Sequence, residues 1–170
     1  VAPALMASHG WKAPGDRGQF FDPALARSLL ADAGFPGGAG FPKVVLSYNT
    51  DIKNKAVAEV VQQMWKDALG VSIELLNREK RVHLAEERAG NYAISRGSWI
   101  GDFSDPYTFL EFMRGDRANN RTGWVNATFD DLLEQSLTEP DDVKRLALLG
   151  EAETILSGTD CPLLLLFHYH

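Results

Sequence analysis

The chain has 170 residues, 45% of them hydrophobic and 24% charged, with a formal net charge of -6. That is enough apolar material to close one hydrophobic core, so a single domain over 1–170 is the expectation. The acidic balance, with no cluster of Lys and Arg, excludes a nucleic-acid groove, and the lone Cys161 excludes both an intrachain disulfide framework and a thiolate zinc site.

Val1 to Met6 lacks the basic and long apolar parts of a signal peptide, and no apolar run approaches the roughly 20 residues of a membrane helix. Residues 1–20 carry Pro3, Gly10, Pro14, Gly15 and Gly18 in no period and read as an irregular leading segment. Asp22-Pro23 starts a helix, because the carboxylate can accept free first-turn amides and Pro at the next position gives up no needed donor. Leu25, Leu29, Leu30 and Ala33 form its expected apolar stripe, and Gly34 stops it. After the breaker-rich stretch 35–42, Val44 to Tyr48 reads as a buried strand. From Asn54 to Leu69, Val57, Val60, Val61, Met64, Trp65 and Ala68 recur at helical spacing up to Gly70. Val71 to Leu75 alternates as a strand, so this strand-helix-strand unit predicts parallel pairing.

A weaker helix is expected at about Arg81 to Ala89, ending at Gly90, then a third strand at Tyr92 to Arg96 and a polar loop from Gly97 to Asp105. Asp105 is expected to cap a short helix opened by Pro106. Arg114 to Thr128 reads as an exposed loop, followed by helices at Phe129–Leu137 and Val143–Leu156 and a final strand after Pro162. That apolar run, Leu163 to Phe167, breaks off as a strand would enter a core, and the chain does not open with Met; both suggest a piece of a longer protein. Alternating strands and helices predict an α/β, or mixed α+β, domain around a largely parallel sheet.

Ligands of such sheets gather beyond the carboxyl ends of the strands, which directs attention to the loop from Ser95 to Pro106. A carboxylate there, Asp102, could bond an ammonium group or simply be a solvated turn residue. Arg96 could clamp a carboxylate or form a surface ion pair, and Trp99 could be a ligand platform or core. A hydrolase pair of Asp102 and Asp105 is the competing reading, but a spacing of three in a loop fixes neither separation nor environment. No nucleophile stands beside a base, and GxSxG, HExxH and phosphate-loop patterns are missing, so an enzyme has no positive signal. His168 and His170 flank Tyr169 on one side of a predicted strand, without a third ligand nearby to make a metal site. His9 and His83 read as isolated polar residues. Arg114-Gly115-Asp116 matches an adhesion tripeptide by chance, and the sequons at Asn120 and Asn126 matter only in a eukaryotic secretory pathway.

The run Phe21-Asp22-Pro23-Ala24-Leu25-Ala26-Arg27-Ser28-Leu29-Leu30-Ala31-Asp32-Ala33-Gly34-Phe35-Pro36 resembles a helix of the family 5 extracellular solute-binding proteins, the peptide-binding receptors of ABC importers. Gly70 to Leu75, Gly97 to Pro106, Asn119 to Trp124 with Phe129 to Leu133, and Pro162 to Tyr169 are similar to further segments of that family, in order along the chain. The resemblance implies one lobe, the C-terminal one, of a two-lobed receptor with a periplasmic-binding-protein type II-like fold that closes over ligand about a hinge. It implies no catalysis and no cofactor or metal. Its expected partners are short peptides, or alternatively a dipeptide, a nickel chelate or a sugar, and the permease subunits of an importer, with a monomeric receptor in the periplasm or otherwise outside the cytoplasm and a lipid anchor outside this chain as a further expectation. By position, Asp102 matches the aspartate that pairs with a peptide α-ammonium, and Arg96 an arginine that can meet the peptide carboxylate. Ser98, Trp99, Ile100, Gly101 and Phe103 complete the expected peptide-binding loop, whose backbone would add to an extended ligand. Two positions depart from the family: Lys80 stands where Trp is common, which could favour acidic peptides or simply point the side chain to solvent, and His83 stands where an aromatic is common.

Overall fold

In the computed structural model, which describes residues 21–167, most helices begin at a side-chain cap that the sequence supplies. Asp22 accepts from the amides of Ala24 and Leu25 and starts α1 (Pro23–Asp32); Asp51 does the same for Lys53 and Asn54 at the head of α2 (Ile52–Leu69). Glu79 caps α3 (Lys80–Arg88), Asn126 caps α4 (Ala127–Thr138) and Asp141 caps α5 (Asp142–Thr154). Each such bond satisfies an amide that the helix itself leaves unpaired, worth about 1 kcal/mol against Ala. The leading segment 1–20 and the pair His168 and His170 lie outside the described residues.

The described chain divides into two compact units, Phe21–Ser98 and 99–167. The first holds a three-stranded, wholly parallel sheet in the order β2-β1-β3, formed by β1 (Val44–Asn49), β2 (Ile73–Arg78) and β3 (Ile94–Ser95). Val44 pairs with Ile73 and Leu46 with Ile94. The fold is therefore the mixed α/β arrangement that alternation predicted. Its core gathers Leu46, Tyr48, Ala58, Val71 and Ile73, with Leu30, Val61, Trp65 and Ile94 packed against them. Burying a side chain such as Ile73 contributes about 1.5–3 kcal/mol.

Three expectations for this unit need correction. The stripe of α1 is largely open, with Leu25 and Leu29 exposed and Leu30 alone among its leucines packed on the core. In α2 the buried seam runs through Asn54, Ala58, Val61 and Trp65, while Val60 and Met64 face solvent. The seam includes Asn54 because its amide donates to the Asn49 side chain at 2.8 Å, so polarity there is satisfied and not excluded. The strands shift too: β2 begins only at Ile73, opposite Val44, where β1 begins, and runs on to Arg78, opposite Asn49, while β3 is reduced to Ile94 and Ser95. Gly70 closes α2 with φ +71, and a Cβ there would run into the Gly37 carbonyl; Gly38 is held equally close to the Gly70 carbonyl. Glycine is the residue that fits at that crossing.

The second unit packs two 3-10 turns, Pro106–Phe109 and Glu111–Met113, with α4 and α5. Phe129, Leu133, Leu110, Met113 and Leu149 are its fully buried centre. The expected loop 114–128 is interrupted by α4, which begins two residues before its apolar face because Asn126 caps it from Phe129 N. Beyond α5 the helix widens into a π turn, Ile155–Thr159. The strand expected after Pro162 is not formed among the described residues: 163–167 carry no strand, and Leu164 to Phe167 are each about half exposed.

Candidate functional site

The residues singled out from sequence fall in both units. Arg96 and Ser98 close the first, and Trp99, Ile100, Gly101, Asp102 and Phe103 open the second. Arg96 leaves β3 with its amide donating to the Ser47 carbonyl at 2.8 Å, which extends the β1–β3 register past the last assigned strand residue. It is half-buried, and Ser98 is exposed.

In the second unit the loop is built around a residue that sequence reasoning missed. Thr108 is completely buried in the first 3-10 turn. Its hydroxyl oxygen accepts the Asp102 amide at 3.0 Å and its carbonyl accepts the Trp99 indole N–H at 2.9 Å. Its methyl group lies where a Cβ on Gly101 would come within 2.9 Å, with the Phe109 ring at 3.0 Å on the same side. Gly101 is thus needed for close approach, not for an unusual φ. A Thr inside a short turn carries no sequence signal for such a role; only its nearness to the Asp105-Pro106 cap hints that it is fixed.

Trp99 is spent on packing: it stacks on Phe112 with centroids 4.7 Å apart and planes at 15°. Its neighbours point the other way. Ile100 is 81% exposed, and Phe103 and the Asp102 side chain are exposed as well. The backbone of 99–102 is therefore anchored while the carboxylate of Asp102 remains open to a solute. Such an arrangement can offer a charge-assisted hydrogen bond to a cation without first moving the loop.

Asp105 behaves as its position suggested and does more. Its carboxylate accepts from Tyr107 N at 2.8 Å, and the Arg145 guanidinium grips both oxygens, Nη1 at 2.9 Å and Nη2 at 2.8 Å. Those bonds hold the guanidinium above its ordinary pKa. A carboxylate locked in a fork of this kind has no oxygen free for acid or nucleophile work, which removes the physical basis of a hydrolase pair with Asp102. Among the described residues no group of three or more His, Cys, Asp or Glu converges as a metal site, and no helix is long and apolar enough to cross a membrane.

His83 is not the isolated polar residue its sequence context suggested. It is buried in α3 beside Glu87, one turn on, and faces Ser95 and the carbonyl of Arg96. A helical i, i+4 pair places the two side chains on one face, and that spacing was the available signal. Lys80, at the first turn of the same helix, is exposed.

Comparison with known proteins gives a consistent result. Residues 1–121 match the family described as bacterial extracellular solute-binding proteins, family 5 Middle. The oligopeptide-binding protein OppA of Bacillus subtilis (strain 168) is 46% identical over 127 residues, which cover 74% of this chain and 23% of that protein. The dipeptide-binding protein DppE of the same organism is 35% identical over 129 residues, covering 76% and 24%. Among solved structures, the crystal structure of the periplasmic oligopeptide-binding protein OppAIV from Borrelia burgdorferi superposes with a TM-score of 0.79 at 35% identity, over 86% of this chain and 31% of that one. The chain spans about a quarter of the length of the curated relatives it matches.

Proposed function

The chain belongs to the bacterial extracellular solute-binding proteins of family 5, and from that premise we propose that it is part of the substrate-binding component of an ABC importer and captures short peptides for uptake. The observation that carries the reading is the anchored loop 99–102, which fixes its backbone on buried Thr108 and leaves the Asp102 carboxylate exposed. Asp102 holds the α-ammonium of the peptide; Arg96, in the other unit, is by itself a candidate partner for a peptide carboxylate. Ser98, Ile100, Gly101 and Phe103 border the bound chain, with Trp99 acting as a packed support. Several relatives are named for oligopeptide binding, which supports the same ligand class.

On this reading the chain is one lobe of a two-lobed, monomeric receptor. It works outside the cytoplasm, tethered by a lipid anchor that lies outside this chain, and delivers peptide to permease subunits. It performs no chemistry on its ligand and needs no cofactor. The relative named for dipeptide binding favours a second reading in which the ligand is shorter and Arg96 makes no contact with it.

The test is calorimetry on the receptor that contains this chain together with its other lobe. Unblocked tripeptides to pentapeptides bind, N-acetylated ones do not, and Asp102→Ala weakens binding by about 2 kcal/mol or more, as loss of a desolvated charge partner does. Equal affinity for acetylated and free peptides would falsify the assignment of Asp102. Preference for dipeptides with Arg96→Ala silent selects the second reading.

A further inference from the structure

We propose that Asp160 is a register latch that makes the start of α4 and the end of α5 one conformational unit. Held on Trp124 and Asn126, it keeps the chain beyond α5 in its π turn and the α4 cap in place; released, it lets the turn fall back to the α register and the cap fray. Asp160 is a positioning residue, and the latch stands or falls without reference to any ligand.

Residues 155–161 concentrate departures from ordinary backbone. Beyond Thr154, the last residue of α5, the Asp160 amide donates to the carbonyl of Ile155, five residues back, at 2.9 Å. One residue later Cys161 has φ +48, the one non-glycine residue with positive φ among those described. It precedes Pro162, a setting that pushes a residue towards extended backbone, so a left-handed turn is unfavourable there. Departures of this kind persist where the surrounding structure over-determines them. Asp160, lying between the two, makes contacts far along the chain. A single oxygen, Oδ2, accepts from the Trp124 indole N–H and from Asn126 Nδ2, both at 2.9 Å.

Local side chains loosen this helix end without choosing its register. The Thr154 hydroxyl donates to the Gly150 carbonyl and the Ser157 hydroxyl to the Glu153 carbonyl, each at 2.8 Å, and the Cys161 thiol donates to the Ser157 carbonyl at 3.2 Å. Bonds from a hydroxyl to the carbonyl one turn back bend a helix slightly, which makes an extra residue easier to insert. The choice falls to Asp160. In the α register its amide would bond Leu156, and its side chain would swing by roughly 100°, the angular share of one residue, away from both donors. The Asn126 side chain supplies the coupling, since its Nδ2 donates to Asp160 while its Oδ1 caps α4 by accepting Phe129 N at 3.1 Å. Fixing one end of a planar amide orients the other. The Trp124 ring meets that of fully buried Phe129 edge-on, with centroids 5.0 Å apart, so the second donor also sits on the first turn of α4.

NMR of the 170-residue chain at neutral pH tests the latch. Scalar couplings carried through hydrogen bonds join the Asp160 nitrogen to the Ile155 carbonyl carbon in the wild type. In Asp160→Ala that coupling moves to Leu156, and exchange of the Phe129 amide quickens by about fivefold, as loss of a helix cap does, while Leu149 within α5 stays level. Asp160→Asn keeps an oxygen for both donors, so it retains the Ile155 coupling and wild-type exchange at Phe129. Should the alanine variant not fold, Trp124→Phe decides: it keeps a ring against Phe129, removes one donor to Asp160, and quickens the Phe129 amide in the same direction. A wild-type coupling to Leu156, an equal loss in the asparagine and alanine variants, or no change at Phe129 in whichever of Asp160→Ala and Trp124→Phe folds, overturns the latch. A change in register without a change at Phe129, or the reverse, overturns the coupling of the two helix ends.

Discussion

Replacing Arg145 by Met is the sharpest probe of how the second unit holds its loop. The guanidinium makes two bonds to Asp105 and a third from Nε to the backbone carbonyl of buried Ser136 at 3.1 Å, joining α5 to α4 and to the turn at Pro106. Exposed ion pairs contribute under about 1 kcal/mol, whereas breaking a fully buried one costs about 3–5 kcal/mol. Here the side chains are 22% and 23% exposed in bidentate geometry. Solvent screening discounts the buried figure by roughly half, so the coupling between Arg145 and Asp105 is about 2 kcal/mol. The measurement is a double-mutant cycle by urea denaturation using Arg145→Met, Asp105→Asn and the pair. Asn at 105 retains an oxygen for the Tyr107 amide, which separates the cap from the fork. Arginine is protonated throughout the assay range whether or not Asp105 is present, so the cycle reads the pair and not a titration. A coupling below about 0.5 kcal/mol would refute the claim that this fork organises the turn.

Three further outcomes follow from the same geometry. Gly70→Ala costs about 2 kcal/mol or more, since it meets both the left-handed φ and the Gly37 carbonyl; Gly90→Ala, at the same φ with open space around it, costs about 1 kcal/mol, and equal losses would remove the packing argument. Thr108→Val costs about 1 kcal/mol and speeds exchange of the Asp102 amide, and an unchanged exchange rate would mean the hydroxyl does not hold the loop. Asp160 accepts from Asn126 Nδ2 and Trp124 Nε1, both at 2.9 Å, and these bonds hold its carboxyl below the usual range. A depressed carboxylate stabilises the fold above its unfolded pKa, so the contribution is complete at neutral pH and is lost as pH falls below about 4 through the folded value. The Trp124 indole N–H resonance should move in that acid window in the wild type and stay still in Asp160→Asn.

Much of the fold was legible because helix starts and stops are local. Asp22, Asp105, Gly70 and Gly90 act within a few residues of themselves, and the sequence shows those residues directly. Burial was less legible. Val60 and Met64 fit a helical period as well as Ala58 and Trp65 do, and the sheet behind α2 decides which face is covered. Strand limits failed for the same reason: Val71 is buried and apolar yet precedes β2, because pairing begins where Val44 meets Ile73. At the candidate site, Asp102 and Gly101 were visible as types suited to a loop near a ligand. Thr108 was not, since one hydroxyl and one carbonyl acquire their role only when a turn folds them under the loop. His83 was misread for want of its partners: Glu87 is near in sequence, but Ser95 and Arg96 arrive from another element.

The strand order has a temporal side. β1 is the middle strand, and both segments that cover its flanks, β2 and β3, lie later in the chain. Among the described strands, both partners of β1 therefore emerge after it, the second only once Ser95 has been made. Unpaired strand edges are where growing chains associate, so the order of these strands sets when that exposure ends for the described sheet.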